Sequence, residues 1–330
     1  MIDLIVEWGR PPSVQVALKQ ATIAHQLGAR WSKWQIFDPA RLASADALRY
    51  WDEKLGGSDS QRENFEAAGS LTDEEWAEVA ARCFELGVGF LASPFDLEAV
   101  ELLERLGVEA YKIASGEITH RPMLERIART SKPVFLSTGA ASEREIDRAL
   151  RWLRKCPTTV MACDLVYPCP LESSGLAQSI PRLARHRLDQ GTVGVGFSDH
   201  TESIVTGAVA VTAGATTLER HVTLDPGGPS PDDKFALSVQ DAQEYLRLAN
   251  EAATLIAEPE GDPEAAARVG ARRSAYAARD LDAGTQLVES DVAWLRPCPV
   301  GAFDPSRKLA GRTLLVAVGA GESIGRDAVA

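Results

Sequence analysis

Cysteine, histidine and methionine are scarce in this chain of 330 residues, which contains five, five and three of them. The cysteines are odd in number and scattered, with no C-x-x-C pair. A disulfide framework or a zinc knuckle is therefore not expected. No apolar run reaches about 18 residues, and the first residues are too few and too acidic for a signal peptide. We expect a cytoplasmic protein with reduced thiols and no membrane association.

Positive charge is also in deficit. Lysine and arginine number 35 against 47 aspartates and glutamates, for a net charge of -12. Phosphate groups would be repelled by such a surface unless a local basic patch intervened, and the sequence has none. Nucleic acids and anionic membranes are therefore not expected as partners. The remaining composition, 45% hydrophobic and 25% charged, is that of an ordinary globular protein of one or two domains.

Up to about residue 257 the chain alternates between two hydrophobic patterns. Short runs rich in Val, Ile and Leu predict buried parallel strands at 2–9, 29–37, 87–93, 110–115, 134–139, 158–165, 192–199 and 216–222. Stretches with 3.6-residue spacing predict helices, among them 97–106, 122–130, 143–153 and 204–213. Eight strand–helix pairs predict an α/β protein with a closed (βα)8 TIM barrel. An open nucleotide-binding sheet is disfavoured because no G-x-G-x-x-G follows the first strand.

The character of the chain changes after the barrel segment, which we assign to residues 1–257. Residues 258–270 are polar and contain two prolines, which indicates a linker with at most one helical turn. Residues 271–330 contain short alternating apolar segments at 274–278, 284–287, 292–295 and 313–317, separated by Asp, Gly and Pro. This pattern predicts a small β-rich domain.

Polar residues cluster where the predicted strands end, which is where catalytic groups of a barrel lie. This rim is dense in cations, hydroxyls and imidazoles. Its members are Glu7, Lys33, Gln35, Ser93, Lys112, Ser115, Glu117, Ser137, Thr138, Tyr167, Ser198, His200, Glu219 and His221.

Two of the five histidines, His200 and His221, end adjacent strand-like runs, G-F-S-D-H-T and L-E-R-H. Each alone could be a satisfied rim histidine. As a pair beside Asp199 and Glu219 they favour a divalent metal site, in which a carboxylate orients a ring or serves as base. The other three histidines are interpreted as structural: His25, His120 and His186.

Lys112, in Y-K-I-A-S-G-E, leaves three roles open: a Schiff-base nucleophile, an anion anchor or a surface residue. Hydroxyls at Ser115, Ser137 and Thr138 favour the anion anchor, because together they form a plausible cradle for phosphate or carboxylate. The alternative is that these are ordinary residues of strand-to-helix turns.

The loop P-G-G-P-S-P-D-D-K follows the eighth strand and is stiffened by three prolines. Its carboxylates, Asp232 and Asp233, either solvate the loop or accept hydrogen bonds from a polyhydroxylated substrate. Trp8 and Trp34 are expected near the rim, where their bulk would alter the pocket.

Several motifs, in order, resemble the sialic acid synthase family: K-I-A-S-G-E-I-T, P-V-F-L-S-T-G-A-A, G-F-S-D-H-T, L-E-R-H-V-T-L-D and P-S-P-D-D-K. The tail, from A-R-R-S-A-Y-A-A-R-D-L to L-R-P-C-P-V-G, resembles that family's antifreeze-like (SAF) domain. The resemblance covers nearly the whole chain. It implies metal-dependent condensation of phosphoenolpyruvate with an N-acetylmannosamine-type aldehyde, giving a sialic-acid-like α-keto acid and phosphate.

The resemblance also implies a partner and roles for individual residues. The SAF domain of one subunit would cap the active site of the other in a homodimer, with Arg296 reaching the sugar. His200 and His221 would bind Mn²⁺, or Mg²⁺ or Co²⁺. Phosphoenolpyruvate would be held by Lys112, Ser93, Ser115, Ser137 and Ser198, and the pyruvyl group or sugar by Lys33, Gln35, Tyr167 and Asp232. Glu7, Glu117 and Glu219 would be the catalytic carboxylates.

The chain departs from the family pattern at two places near the expected acceptor. E-I-G-x-N-H-x-G is replaced by E-W-G-R-P-P-S-V, and Leu165 stands where the family has asparagine. Two alternative hypotheses stay open, and these changes favour only the first of them. One is a non-catalytic carbohydrate-binding or scaffold protein, and the other is a Schiff-base aldolase that uses Lys112 or Lys33.

Overall fold

A computed structural model describes residues 2–185, 192–228 and 230–330, with only the backbone described at residues 192 and 193. His186, interpreted above as structural, and Pro229, in the loop after the eighth strand, lie outside the described residues. The chain forms two compact units, Met1–Ile256 and Ala257–Ala330.

The first unit is built on eight parallel strands. They are β1 (Asp3–Glu7), β2 (Trp31–Ile36), β3 (Gly89–Pro94), β4 (Tyr111–Ile113), β5 (Val134–Ser137), β6 (Thr158–Cys163), β7 (Thr192–Asp199) and β8 (Thr217–Thr223). Their hydrogen-bonded order is β3-β2-β1-β8-β7-β6-β5-β4, and β3 and β4 lie next to each other at the seam. The predicted (βα)8 barrel is confirmed, and each predicted strand overlaps an observed one.

Helices follow the strands and cover the outside of the barrel. In the first unit they are α1 (Val14–Gln26), α2 (Pro39–Leu42), α3 (Gln61–Ala67), α4 (Asp73–Leu86), α5 (Leu97–Arg105), α6 (Arg121–Ala128), α7 (Glu143–Trp152), α8 (Leu176–Ala184), α9 (Thr206–Thr212) and α10 (Val239–Ile256). A two-residue strand, β9 (Leu237–Ser238), pairs with β8. Several of the helices begin where the sequence supplies caps, as at Thr72 and Ser142, which both form capping boxes.

Side chains alternate strictly between the two faces of each strand, and this alternation creates the site. An apolar cluster of Ile5, Trp31, Leu91, Ala110, Phe135 and Met161 fills the barrel interior. Two residues further along each of these strands stand Glu7, Lys33, Ser93, Lys112, Ser137 and Cys163. Because the period of a strand is two, these side chains also point inward, as the next layer toward the carboxyl ends.

The second unit contains a helix, α11 (Ala265–Ala271), and an antiparallel pair, β10 (Ser274–Ala277) with β11 (Val292–Leu295). Helix α11 makes about two turns within residues 258–270 and just beyond, where at most one turn was expected. The apolar segments at 274–278 and 292–295 contain these two strands, whereas the segments at 284–287 and 313–317 form no continuous strand. Those segments pair only through isolated bridges, such as Gln286 with Thr313, and enclose a small core that includes Leu281, Leu287 and Leu314.

Among the described residues, no helix combines the length and the apolar character that crossing a lipid bilayer requires.

Candidate active site

A cavity of about 400 Å³ opens at the carboxyl ends of the barrel strands. This volume suits a small-molecule site. It brings together nearly all of the residues predicted from the sequence: Glu7, Lys33, Gln35, Ser93, Lys112, Ser115, Glu117, Ser137, Tyr167, Ser198, His200, Glu219, His221 and Asp232. Thr138 is a correction, because its hydroxyl donates to the carbonyl of Met161 over 3.0 Å instead of serving an anion.

Two buried lysines and two buried carboxylates form a continuous network on the cavity floor. Lys33 donates to Glu7 and lies 3.1 Å from Oε1 of Glu219, whose Oε2 lies 3.2 Å from Nζ of Lys112. Gln35 donates to the other oxygen of Glu7 over 2.8 Å. The four charges balance one another, so the floor is rigid and close to neutral.

The ionisation of this network follows from its contacts. Burial lowers the pKa of Lys112 despite the attraction of Glu219. Burial also acts to lower the pKa of Lys33, but Glu7 and Glu219 outweigh it and raise that pKa. Burial opposes ionisation of Glu219, yet Lys112 and Lys33 hold its pKa well below the usual range. Glu219 is thus an ionised, weakly basic carboxylate.

A hydroxyl group and a backbone carbonyl accept hydrogen bonds from the ammonium of Lys112. Its Nζ donates to Oγ of Ser137 over 2.7 Å and to the carbonyl of Ile113 over 3.2 Å. Ser115 Oγ accepts the backbone N–H of Gly139 over 3.0 Å, which brings the L-S-T-G-A loop close to the β4 turn. A Cβ at Gly139 would lie 2.9 Å from both Ser115 Oγ and the nitrogen of Leu165. Glycine therefore permits this close approach.

The two histidines lie side by side, with ring centroids 5.6 Å apart. Nδ1 of His200 lies 2.7 Å from the carbonyl oxygen of Asp164, a contact that fixes the ring and leaves Nε2 for other partners. Burial lowers the pKa of His200, which favours the neutral imidazole. Nδ1 of His221 is buried, lies 3.5 Å from Oδ2 of Asp232, and has no hydrogen bond among the described residues. The ring of Tyr167 packs against that of His200 at a tilt of 33°, with centroids 4.1 Å apart.

Asp199 does not orient a histidine, contrary to the expectation from sequence. Strand alternation turns Asp199 and Arg220 to the outer face, where Nη1 of Arg220 lies 2.8 Å from Oδ1 of Asp199. Thr206 and Tyr245 donate to the other carboxylate oxygen over 2.5 and 3.1 Å. Glu219 points inward, but toward the lysines described above.

Glu117 is a rim carboxyl group whose pKa is displaced upward. Burial, together with repulsion from Asp96, raises its pKa to about 7. Oε2 of Glu117 lies 3.3 Å from Nδ1 of His120. His120 was expected from the sequence to be structural, and the structure places it beside a residue of the cavity. A carboxyl group that titrates near neutrality is suited to general acid–base chemistry.

The loop carboxylates after β8 divide into two roles. Asp232 lines the cavity, as described above, while Asp233 ties the loop together. Its Oδ1 accepts from the hydroxyl of Thr223 over 2.5 Å, and its Oδ2 accepts from the backbone of Ser230 over 3.1 Å. Only Asp232 is therefore placed to meet a ligand.

The sequence reasoning missed one whole wall of the cavity. Residues from the segment 37–68 line it, together with Arg10 and Phe95, which both contact Phe37. Trp51 and Ser93 each contribute a buried polar atom that has no partner among the described residues. Such atoms are rare in native proteins and mark places where a ligand or water is bound. The available signal was the clustering of Phe37, Tyr50, Trp51 and Phe65 within an otherwise polar segment.

Trp8 and Trp34 do not alter the pocket. Trp34 is fully buried on the outer face of β2, where it packs on Trp76 and Phe90 and donates to Gln20 over 2.8 Å. Trp8 is also buried and donates to Ser32 over 2.9 Å.

Comparison with known families gives a direct assignment for the chain. Residues 21–260 match the NeuB family, and residues 272–330 match the SAF domain. The chain belongs to the NeuB family. The resemblance to sialic acid synthases and their SAF domain is thereby confirmed. Arg296 follows β11 within the SAF match, and its role at a partner's site stays a prediction.

NeuB relatives of known name are similar over most of the chain. An N,N'-diacetyllegionaminic acid synthase of Campylobacter jejuni is 34% identical over 235 residues, 69% of each protein. A pseudaminic acid synthase of Helicobacter pylori is 31% identical over 233 residues, 68% of this chain and 67% of that protein. Among solved structures, a candidate spore coat polysaccharide biosynthesis protein E of Chromobacterium violaceum is 25% identical, with a TM-score of 0.77 and full coverage of both chains.

Proposed function

We propose that the protein condenses phosphoenolpyruvate with a sugar-like aldehyde to give a sialic-acid-like α-keto acid and phosphate. One observation carries the proposal: a buried lysine, Lys112, that donates to the hydroxyl of Ser137, and a pair of neighbouring histidines whose rings meet edge to face share a single cavity in a NeuB-family barrel. Relatives named as legionaminic and pseudaminic acid synthases support the same reaction class.

The phosphate and carboxylate of phosphoenolpyruvate would bind around Lys112. Ser137 accepts a hydrogen bond from that lysine, Ser115 and Ser198 line the same cavity, and the hydroxyl of Ser93 has no partner among the described residues. Because Glu7 and Glu219 already balance the two lysines, an anionic substrate needs further donors and further positive charge. The hydroxyls supply the donors.

A divalent metal ion, with Mn²⁺ the first choice and Mg²⁺ or Co²⁺ as alternatives, would supply the remaining charge at His200 and His221. With metal–nitrogen bonds of about 2.1 Å and ring nitrogens roughly 1 Å from each centroid, two imidazoles can share an ion when their centroids lie within about 6 Å. The observed 5.6 Å fits this limit. Among the described residues no cluster of three or more His, Cys, Asp or Glu side chains has metal-binding geometry, so water or substrate would complete the shell. When bound, such an ion acts as a Lewis acid toward the acceptor's aldehyde oxygen.

The acceptor would lie between Tyr167, Asp232 and Gln35, with its aldehyde turned toward C3 of phosphoenolpyruvate. Water then adds at C2, and phosphate leaves by C–O cleavage. Of the candidate carboxyls, Glu117 is better matched than Glu219 to the proton transfers, since its pKa is raised to about 7 while Lys112 and Lys33 keep Glu219 ionised. Glu7 holds Lys33 and Gln35 in position.

The decisive experiment measures phosphate release from phosphoenolpyruvate across a panel of aldoses and N-acylhexosamines with Mn²⁺, Mg²⁺ or Co²⁺. We expect release with at least one acceptor, and its loss in His221→Ala. His25→Ala, a change at an exposed position of helix α1, is the matched control. Absence of release across the whole panel would favour the non-catalytic carbohydrate-binding alternative.

Borohydride trapping with pyruvate distinguishes the proposed condensation from the Schiff-base aldolase alternative. The lowered pKa of Lys112 gives its amine some nucleophilic character. However, Nζ is engaged by Ser137, Ile113 and Glu219. We therefore expect no pyruvate adduct after reduction. A labelled Lys112 or Lys33 would replace the proposed reaction with Schiff-base chemistry.

We also infer, from resemblance to the family, a homodimer in which Arg296 acts at the partner's site. Mixing Arg296→Ala with Lys112→Met subunits tests this, because hybrid dimers would contain one intact composite site. Recovered activity in the mixture is expected, and two inactive parents that stay inactive when mixed would contradict the swap.

A further inference from the structure

The side chain of Arg10 lies on the cavity wall that the sequence reasoning missed. Its guanidinium lies 4.1 Å from the ring centroid of Phe37, and its Nη1 donates to the carbonyl of Phe65 over 3.0 Å. Stacking and one hydrogen bond hold the planar group in a single orientation. Among the described residues, its other N–H groups have no hydrogen-bond acceptor.

Arg10 differs from the other cations of the cavity in its charge balance. Lys33 and Lys112 are both paired with buried carboxylates, whereas no described carboxylate forms an ion pair with Arg10. Burial lowers the pKa of Arg10, and Asp38 opposes that effect. A guanidinium stays charged at neutral pH in any case, so the cavity wall carries a fixed positive charge that Asp38 attracts but that no described carboxylate contacts as an ion pair.

The backbone places this charge near the acceptor end of the cavity. Gly9 has φ of +69°, and a Cβ there would lie 2.8 Å from Oδ2 of Asp232, the carboxylate that faces His221. Pro11 and Pro12 follow with restricted φ, and Ser13 then caps helix α1. Arg10 is therefore held in a rigid turn, one residue from a backbone contact with Asp232.

We propose that Arg10 binds an oxyanion, a phosphate monoester or a carboxylate, on the part of the acceptor remote from its aldehyde. The inference rests on the proposed function for the identity of the acceptor. A fixed guanidinium matches these groups with two parallel hydrogen bonds. The neighbouring rings of Phe37, Phe65 and Trp51 would pack against the carbon skeleton that carries the anion. A neutral acceptor would leave the charge of Arg10 unmatched.

The test measures binding without turnover, so that it does not depend on catalysis. A 2-acetamido-2-deoxyhexitol has no aldehyde and cannot condense. Calorimetry would compare this hexitol, its 6-phosphate and the matching 6-carboxylate, each with phosphoenolpyruvate present at saturation so that the Lys112 region is occupied. We expect one of the two anionic forms to bind about 10- to 100-fold more tightly than the neutral hexitol. The anionic form that binds more tightly shows whether Arg10 recognises a phosphate or a carboxylate.

Variants then assign the preference to one side chain. Arg10→Gln should abolish it, Arg10→Lys should retain part of it, and both should leave phosphoenolpyruvate affinity unchanged. Arg82→Gln is the matched control, because Arg82 lies on helix α4 and its ion pair, with Glu85, is exposed. Equal wild-type affinity for all three ligands, or a preference that survives Arg10→Gln, would overturn the proposal. An Arg10-dependent preference without turnover of any aldehyde would support this site while removing the proposed reaction.

Discussion

Nη1 of Arg220 contacts Oδ1 of Asp199 over 2.8 Å, and both side chains are buried behind the strands that carry the two histidines. The two residues are direct neighbours in the β7–β8 ladder, each one position before a histidine. Arg220 also donates to the hydroxyl of Thr201, and its guanidinium lies over the ring of Tyr245 in α10. This outward pair fixes the relative position of the strand ends from which His200 and His221 project inward.

Breaking that pair should destabilise the barrel strongly. In Asp199→Asn the arginine would remain buried without its counter-charge, at a cost of about 3–5 kcal/mol in the free energy of unfolding. Urea unfolding monitored by circular dichroism measures the loss. Glu101→Gln, which weakens the exposed pair with Arg126, should cost less than about 1 kcal/mol. A similar loss of unfolding free energy in the two variants would show that the buried pair stabilises the barrel no more than the exposed pair does.

Glu117 should make stability depend on pH. Its carboxyl keeps a proton up to about pH 7 when folded, while its reference pKa is 4.5. The folded state therefore binds more protons within this window, and stability falls as pH rises from about 4.5 to 7, by at most about 3 kcal/mol. Glu117→Gln should remove this part of the fall, measured as unfolding free energy at pH 5 and pH 8. Glu85→Gln, on helix α4, is the control, and a Glu117→Gln profile parallel to wild type would refute the assignment.

Lys112→Met should weaken phosphoenolpyruvate binding. The substitution keeps the length of the side chain but removes a charged donor, which is worth about 1.5–3 kcal/mol, or roughly 10- to 150-fold in Kd. Calorimetric titration with phosphoenolpyruvate alone measures the effect. Lys132→Met, which removes a lysine paired with Glu104 on the outside of the barrel, should bind as wild type does. An unchanged affinity for phosphoenolpyruvate in Lys112→Met would show that Lys112 is not part of the anion-binding site.

Metal affinity should depend on both histidines. The signal of free Mn²⁺ in electron paramagnetic resonance reports binding without any need for turnover. His200→Ala and His221→Ala should each weaken Mn²⁺ binding by more than about 10-fold, because loss of even a second-shell partner commonly costs 10- to 100-fold. His25→Ala should leave the titration unchanged. Full Mn²⁺ affinity in either cavity variant would exclude that histidine as a ligand.

The inward layer of the barrel was accessible from sequence because a strand with period two specifies its own faces. In W-S-K-W-Q-I, Lys33 and Gln35 share one face and Trp34 takes the other, so Trp34 packs under α4 and away from the cavity. The same parity separates Asp199 from His200. The errors at Trp34 and Asp199 arose where proximity in sequence to the rim was taken as proximity to the cavity.

By itself, the amino-acid sequence determined the alternation of strands and helices, the family, and the polar layer above the barrel's apolar interior. These features follow from local periodicity and from motifs of adjacent residues, which need no long-range information. Only the tertiary structure decided which side chains complete the cavity. Arg10 contacts the ring of Phe37 and the carbonyl of Phe65 because the segment 37–68, between β2 and α4, folds back over the turn that follows β1. No periodic pattern encodes such contacts, since packing and chain closure alone bring those residues together.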